Sequence, residues 1–377
     1  MSEFAHQLFA DYEIYKEQRL LNRRFKHKDI LPLSENRKSN ILTIYDTAYS
    51  FENRKIHTLK AGNGKKHVLL WSQMHGDEST ATAALFDIFN FLENPGNLKT
   101  RCETILKNCT LFFIPMLNPD GAERFQRRNA QGTDINRDAL RLSSPEGRFL
   151  ARQRDKINPE FGFNLHDQES RYAAGNTKYP ATMSFLAPAF DKAKTLNESR
   201  KKSMKLIAEI NESLQNFIPN QIGRYSDDFM PAAFGDNIQK KGTSTILTES
   251  GWFAGDNEKQ FVRKLNFTAI LHALYSISVN NFEKYSVSDY EKIPFNKKNK
   301  FFDYILRNVL IRKNKFSYIV DIGILRKSLP EKDVFEVADI GDLSEYYAYK
   351  EKNLENKETE IKEVTGDNAE ELIKRFF

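Results

Sequence analysis

Four stretches of the chain carry apolar or β-branched residues in compact runs that stop at polar turns: Val68-Leu69-Leu70-Trp71, and residues 110–116, 160–166 and 242–252. Runs of this length, bounded by turn signals, read as buried strands. Residues 79–92, rich in Ala, Leu and Phe, read as a helix, as do residues 258–281. Residues 190–218 place Leu196, Met204, Ile207, Ile210, Leu214 and Phe217 at helical spacing. Strand, helix and strand joined by short crossovers make a parallel or mixed sheet covered by helices. Ahead of this pattern, residues 3–29 predict a mixed-charge amphipathic helix, broken by Pro32, Ser34 and Asn36. Residues 41–45 and 56–59 predict short strands around a Ser-Phe-Glu-Asn turn.

Past residue 285 the period changes. Tyr304-Ile305-Leu306, Val309-Leu310-Ile311 and residues 318–322, 334–337 and 346–349 alternate over short spans, the pattern of a small all-β module. A short helix started by Asp367 or Asn368 closes the chain. The expected fold is α/β, a mixed, mostly parallel sheet covered by helices with a C-terminal all-β module. The expected units are 1–285, with 1–39 as a helical segment packed on it, and a β-rich accessory unit, 286–377.

Composition narrows the class. The 377 residues carry a net charge of +6, but the basic residues are dispersed, which argues against a nucleic-acid partner. The densest basic run, 297–315, interleaves with Phe, Tyr, Ile and Leu and reads as strand edges with solvated lysines. No apolar stretch approaches a membrane span, and the start lacks a basic region followed by an apolar one, so no membrane partner and a cytoplasmic location are expected. Cys102 and Cys109 are too few for a disulfide framework or a zinc knuckle, which suits a reducing compartment.

The candidate chemistry gathers at strand ends, where open α/β sheets place their ligand sites. His75 and Glu78 follow the first buried strand, and imidazole with carboxylate at this spacing can converge on Zn²⁺. His-x-x-Glu recurs at His166 to Glu169, so the motif alone also fits a solvated loop histidine. His166 ends the third strand and is the natural third ligand. Residues 123–138 carry four arginines after the second strand, suited to a carboxylate or a developing oxyanion or else simply solvated. Asp134 could fix the tautomer of a ligand imidazole. Glu249, at the end of the fourth strand, is placed to act as a general base beside a metal-bound water. His57 and His67 flank strands without acidic partners at ligand spacing and read as structural or exposed, and His272 reads as a packed or surface residue.

Together, His75-x-x-Glu78, Asn118-Pro119-Asp120-Gly121, Arg127-x-Asn129, Asp134-x-Asn136-Arg137, His166 and Glu249 resemble the zinc carboxypeptidase family, the M14 metallopeptidases, over residues 40–280. The resemblance implies one Zn²⁺ per chain held by His75, Glu78 and His166, with Glu78 rather than Glu169 as the carboxylate ligand. It implies Glu249 as the base, Arg127 on the oxyanion, and Asn136 with Arg137 on the free carboxylate of a peptide substrate. Cell-wall peptides are among the candidate substrates. Asp134 would orient a zinc histidine. The sequence departs from the family in three places. Asp77 stands where digestive members often carry Arg. The mobile tyrosine lacks a clear match, with Tyr225 nearest. The span from Arg137 to His166 is short, as in compact bacterial members. The side-chain pocket should involve residues 234–237, and Asp236 there would suit a basic side chain. Two other readings stay open: an N-acyl-amino-acid amidohydrolase of the succinylglutamate desuccinylase or aspartoacylase type, and a non-catalytic binding protein on the same fold.

Overall fold

The computed structural model describes residues 3–37, 39–313, 315–355 and 368–377. Helices α1 (Glu3–Ala10), α2 (Tyr12–Tyr15) and α3 (His27–Glu35) precede strands β1 (Thr43–Tyr49), β2 (Lys55–Ala61) and β3 (Lys66–Ser72). Helices α4 (Thr80–Glu93) and α5 (Lys99–Asn108), strand β4 (Cys109–Ile114), helices α6 (Pro119–Glu123) and α7 (Pro145–Ile157) and strand β5 (Phe161–Asp167) follow. Next come β6 (Ala173–Ala174), β7 (Met183–Leu186), α8 (Glu198–Leu214), β8 (Ile222–Arg224), α9 (Phe234–Lys240), β9 (Ser244–Ser250) and α10 (Gln260–Val279). The last part holds α11 (Val287–Glu291), β10 (Asn296–Lys297), β11 (Phe301–Lys313), β12 (Phe316–Ser328), β13 (Asp333–Gly341), β14 (Tyr347–Asn353) and α12 (Ala369–Phe376).

Eight strands form one sheet in the order β1-β2-β4-β3-β5-β9-β7-β8. Its centre, β4-β3-β5-β9, is parallel, and antiparallel pairing enters at β2 and β7. Parallel strands are buried on both faces, which is why these four read as continuous apolar runs. Val68 and Leu70 point into one core with α4 and α10, while Leu69 and Trp71 point into another with α7 and Phe234. A second sheet, β13-β12-β11-β14, has its own core around Leu306, Val309, Ile322 and Ile324, against which Leu372 of α12 packs. The fold is thus the expected α/β sheet covered by helices, followed by a four-stranded β-sheet. Among the described residues no helix is long and apolar enough to cross a membrane.

Local expectations fail in instructive places. The helix expected over 3–29 stops at Ala10, gains one more turn and gives way to an irregular segment, 16–26. Tertiary partners take over its backbone: Asp87 accepts the Glu17 amide at 2.7 Å, and Arg263 donates to the carbonyls of Leu20 and Glu17 at 2.5 and 3.0 Å. Pro32 lies inside α3 rather than ending it, and its carbonyl accepts the Asn36 amide at 3.0 Å. The helix expected over 190–218 begins only at Glu198, where the Asn197 side chain accepts the Arg200 amide. Asn118 caps α6, its side chain accepting the Gly121 amide at 2.9 Å. Asp367 lies outside the described residues, and Asn368 is the capping position of α12.

Candidate active site

The carboxyl ends of β3, β4, β5 and β9 meet over a cleft of about 600 Å³. The loop after β3 carries His75 and Glu78 and packs on the start of α6 so closely that a Cβ on Gly76 would fall 2.0 Å from the Gly121 carbonyl carbon. Only glycine permits that approach. Asn118 ties the two loops together, donating through Nδ2 to the carbonyls of Met74 and Arg127 at 3.2 and 3.3 Å. Asn129 braces the arginine loop by accepting the Gln131 and Thr133 amides and donating to Glu146 at 3.0 Å. His166 and Glu249 are register partners on the parallel strands β5 and β9. Paired residues share a face of the sheet, so both side chains rise into the cleft.

Three donors converge. His75 Nδ1 lies 2.7 Å from Glu78 Oε1, and His166 Nδ1 lies 2.7 Å from Glu78 Oε2. The ligand atoms of these residues all fall within 4.8 Å of one another, as a shared metal ion requires. Two imidazoles on one carboxylate need either a proton in each contact or a cation among them. Positive charge does collect there: Arg127 Nη1 stands 3.1 Å from His75 Nδ1 and 3.4 Å from Glu78 Oε1. The other ring nitrogen of His75 meets Asp134 Oδ1 at 3.1 Å, while Asp134 Oδ2 accepts Arg127 through Nε and Nη2 at 3.1 and 3.0 Å. The donor set His₂Glu, with an outer carboxylate on one imidazole, fits zinc. Glu169 takes no part in this cluster; it is exposed, 3.6 Å from Arg171.

Electrostatics follow from the same contacts. Burial opposes charge on His75, but Glu78 and Asp134 outweigh it and raise the ring to about 9. Burial holds His166 below the usual imidazole range despite Glu78. Burial opposes charge on Glu78 too, yet the two imidazoles hold it far below the carboxylate range. Asp134 is also lowered, with burial outweighed by His75 and Arg127. Glu249 goes the other way: burial, then the charges of Glu78 and Asp167, push it well above the carboxylate range against Lys259. Its carboxylate has no hydrogen-bonding partner among the described residues.

The structure brings His75, Glu78, Arg127, Asn136, Arg137, His166, Tyr225 and Glu249 to this one cleft. Asn136 Oδ1 accepts the Phe234 amide at 2.9 Å, and Arg137, exposed, donates to the Asn136 carbonyl at 2.8 Å. Tyr225 donates to Gln168 Oε1 at 2.7 Å, and burial, then Glu249, raise its hydroxyl. Asp236 does not reach the lining. It sits in the first turn of α9, accepts the Met230 amide at 2.9 Å, and is pushed up to about 6 by burial against that bond and the nearby Arg137. Sequence reasoning did not single out Lys259, Trp252, Arg23 or Ser328, which also line the cleft. Lys259 Nζ pairs with Asp167 at 3.1 Å beneath the Trp252 ring, and Thr80 donates to the same Asp167 oxygen at 2.5 Å. No local pattern marks these residues.

Residues 28–209 match the family model described as zinc carboxypeptidase (Peptidase M14). Carboxypeptidase 2 of Trichophyton tonsurans is 27% identical over 187 residues, 48% of this chain and 32% of that protein. Human carboxypeptidase D is 24% identical over 151 residues, 36% of this chain and 10% of that protein. The chain thus spans about a third or less of the length of these curated relatives. Among solved structures, a metallo-carboxypeptidase from Burkholderia cenocepacia superposes with a TM-score of 0.53 at 17% identity, over 65% of this chain and 66% of that one. Bovine thrombin-activatable fibrinolysis inhibitor, in complex with tick carboxypeptidase inhibitor, gives 0.51 at 16% identity, over 71% of this chain and 99% of that one. At such identities the structures speak for the fold.

Proposed function

We propose that the chain, whose residues 28–209 match the zinc carboxypeptidase family model, removes the C-terminal residue of small peptides, with cell-wall peptides as one substrate class. The observation that carries this reading is the convergence of His75, Glu78 and His166 in one cleft with Glu249 as the register partner of His166. One Zn²⁺ per chain would be held by His75, Glu78 and His166 and would supply Lewis acidity and a more acidic water.

The chain's own groups then have distinct tasks. Glu249 takes the proton of the attacking water and returns it to the leaving amine, since a carboxylate without other partners is available for proton transfer. Arg127 steadies the negative charge that develops on the carbonyl oxygen. Asp134 holds His75 in one tautomer and keeps the Arg127 fork aimed across the cleft. Asn136 and Arg137 grip the free α-carboxylate, with Arg137 offering the planar fork that pairs with a carboxylate bidentately. Tyr225 contacts the substrate from the opposite wall, and Asp236 acts through Arg137 rather than as a pocket base. Residues 1–285 form the catalytic unit in this reading and 286–377 an accessory one. A cytoplasmic setting suits the two buried free cysteines, Cys102 and Cys109.

The test is hydrolysis of N-blocked dipeptides and their C-terminal amides by zinc-loaded protein, with Glu249→Gln alongside. The free acids should be cleaved and the amides not, and the variant should lose about 10²–10⁴-fold in kcat while still binding zinc. Release of acyl groups from N-acyl amino acids, with no dipeptide cleaved, would establish the amidohydrolase instead. Zinc binding with neither activity would favour the binding protein.

A further inference from the structure

The groups assigned to the terminal carboxylate, Asn136 and Arg137, follow β4, whereas Trp252 and Lys259 follow β9. Strands β3 and β5, which deliver His75, Glu78 and His166, run between them in the sheet. A peptide anchored by its carboxylate near β4 therefore carries its upstream residues toward β9. That side of the cleft is not open. The Trp252 ring is faced by three cations: Arg326 at 4.6 Å, Lys259 at 4.8 Å and Arg23 at 5.1 Å. Arg23 comes from the irregular segment 16–26, and its guanidinium donates to Ser328 Oγ at 2.8 Å. Ser328 ends β12 of the C-terminal sheet and lines the cleft.

One carboxylate fastens this corner. Asp333 Oδ1 accepts Arg23 at 2.5 Å and also Arg24, while Oδ2 accepts Arg326 at 2.8 Å. Arg326 is held in turn by Asp303 at 3.2 Å and by Asn257 Oδ1 at 2.9 Å. The side chains of Arg23, Arg326 and Asp333 are only 6, 10 and 14% exposed. Asp333 thus joins Arg23, Arg24 and Arg326, and shared charge-assisted bonds of this kind hold the corner in place. What remains is a cleft of about 600 Å³, the size of a small-molecule site rather than of an extended peptide groove.

We propose that the β12–β13 corner of the C-terminal sheet, fastened to the 16–26 segment by Asp333, is an end wall that limits the substrate to peptides with one or two residues before the scissile bond. This rests on the carboxypeptidase reading. Asp333 is a positioning residue here: it acts through Arg23 and Arg326 and touches no substrate.

The experiment measures kcat/KM on N-acetylated peptides of two to six residues with one fixed C-terminal pair, for wild type, Asp333→Asn and Ser328→Trp. Wild type should favour two and three residues and fall by about ten-fold or more at five and six. Asp333→Asn should flatten that fall, gaining about ten-fold on the long peptides relative to the dipeptide. Ser328→Trp, at an exposed position that tolerates bulk, should steepen it, losing about ten-fold on three residues and little on two. Both variants are compared only after thermal unfolding shows a cooperative transition. If Asp333→Asn fails to fold, Ser328→Trp alone decides. A flat wild-type profile, or profiles unchanged in the folded variants, overturns the wall while leaving the carboxypeptidase standing. A wild type that cleaves no peptide of any length overturns both.

Discussion

Two clusters of buried charge sit on α4 and its neighbours, and they are built on opposite principles. In the first, Asp87 and Arg263 are 0 and 1% exposed. Arg263 grips Asp87 through Nη2 and Nε at 2.5 and 2.7 Å, and the remaining capacity of the carboxylate goes to Tyr12 at 3.0 Å and the Glu17 amide at 2.7 Å. Every hydrogen-bonding atom is spent on the fold. In the second cluster, around His75, Glu78 and His166, the donors converge while their surroundings are left unspent. His166 Nε2, Asp77 Oδ1 and Asp167 Oδ1 are buried without a partner, and Glu249 has none among the described residues. Unpaired buried polar groups cost stability unless something else satisfies them, and here several of them surround converging donors. Saturation marks the structural cluster; convergence without saturation marks the functional one.

The contrast can be broken first at Arg263. Arg263→Met strands the Asp87 carboxylate in the core, and unfolding by urea should show a loss of about 3–5 kcal/mol. The activity of the molecules that remain folded should not change. A neutral result would mean that the network tying 16–26 to the body carries no stability, and the comparison would lose its structural half.

The two clusters were unequally legible in the sequence. His75, Glu78, His166 and Glu249 could be found because parallel strands, covered on both faces, write themselves as apolar runs that end where the ligand-bearing loops begin. The structural cluster could not: Arg263 meets Asp87 across 176 residues and Leu20 across 243, and no local pattern announces these contacts. The same contacts explain why the helix expected over 3–29 does not form, since tertiary bonds to Glu17 and Leu20 override the amphipathic pattern. Helix α7 was legible but passed over. Ser144 caps it by accepting the Gly147 amide, and Pro145 occupies its first turn, the signature of a helix start. The end wall was out of reach, because Arg23, Trp252 and the corner from Ser328 to Asp333 lie in three separate stretches of chain.

A smaller effect sharpens the comparison at another carboxylate, Asp236 of α9. Asp236 is pushed up to about 6 from 3.8 by burial, which outweighs the Met230 amide, its own amide and the charges of Arg137 and Arg200. The folded chain therefore holds this proton more tightly than the unfolded chain. The stability it contributes is full below the unfolded pKa near 3.8 and is lost as pH rises through about 6. Asp236→Asn keeps an acceptor for the Met230 amide and removes the charge. At pH 7.5 it should be about 1 kcal/mol more stable than wild type, the gain being trimmed by a lost charge at a helix start. Near pH 4 the two should melt together. A difference that does not change with pH would contradict this.

The central claim, that the unspent cluster is a zinc site, is tested most directly by calorimetric titration of metal-stripped protein with Zn²⁺, for wild type and His166→Ala. Wild type should bind one ion per chain and gain about 2.7 kcal/mol of stability at a free zinc concentration one hundred times Kd, and the variant should do neither. Wild type that binds no zinc, or a variant that binds it as tightly as wild type, would contradict the account.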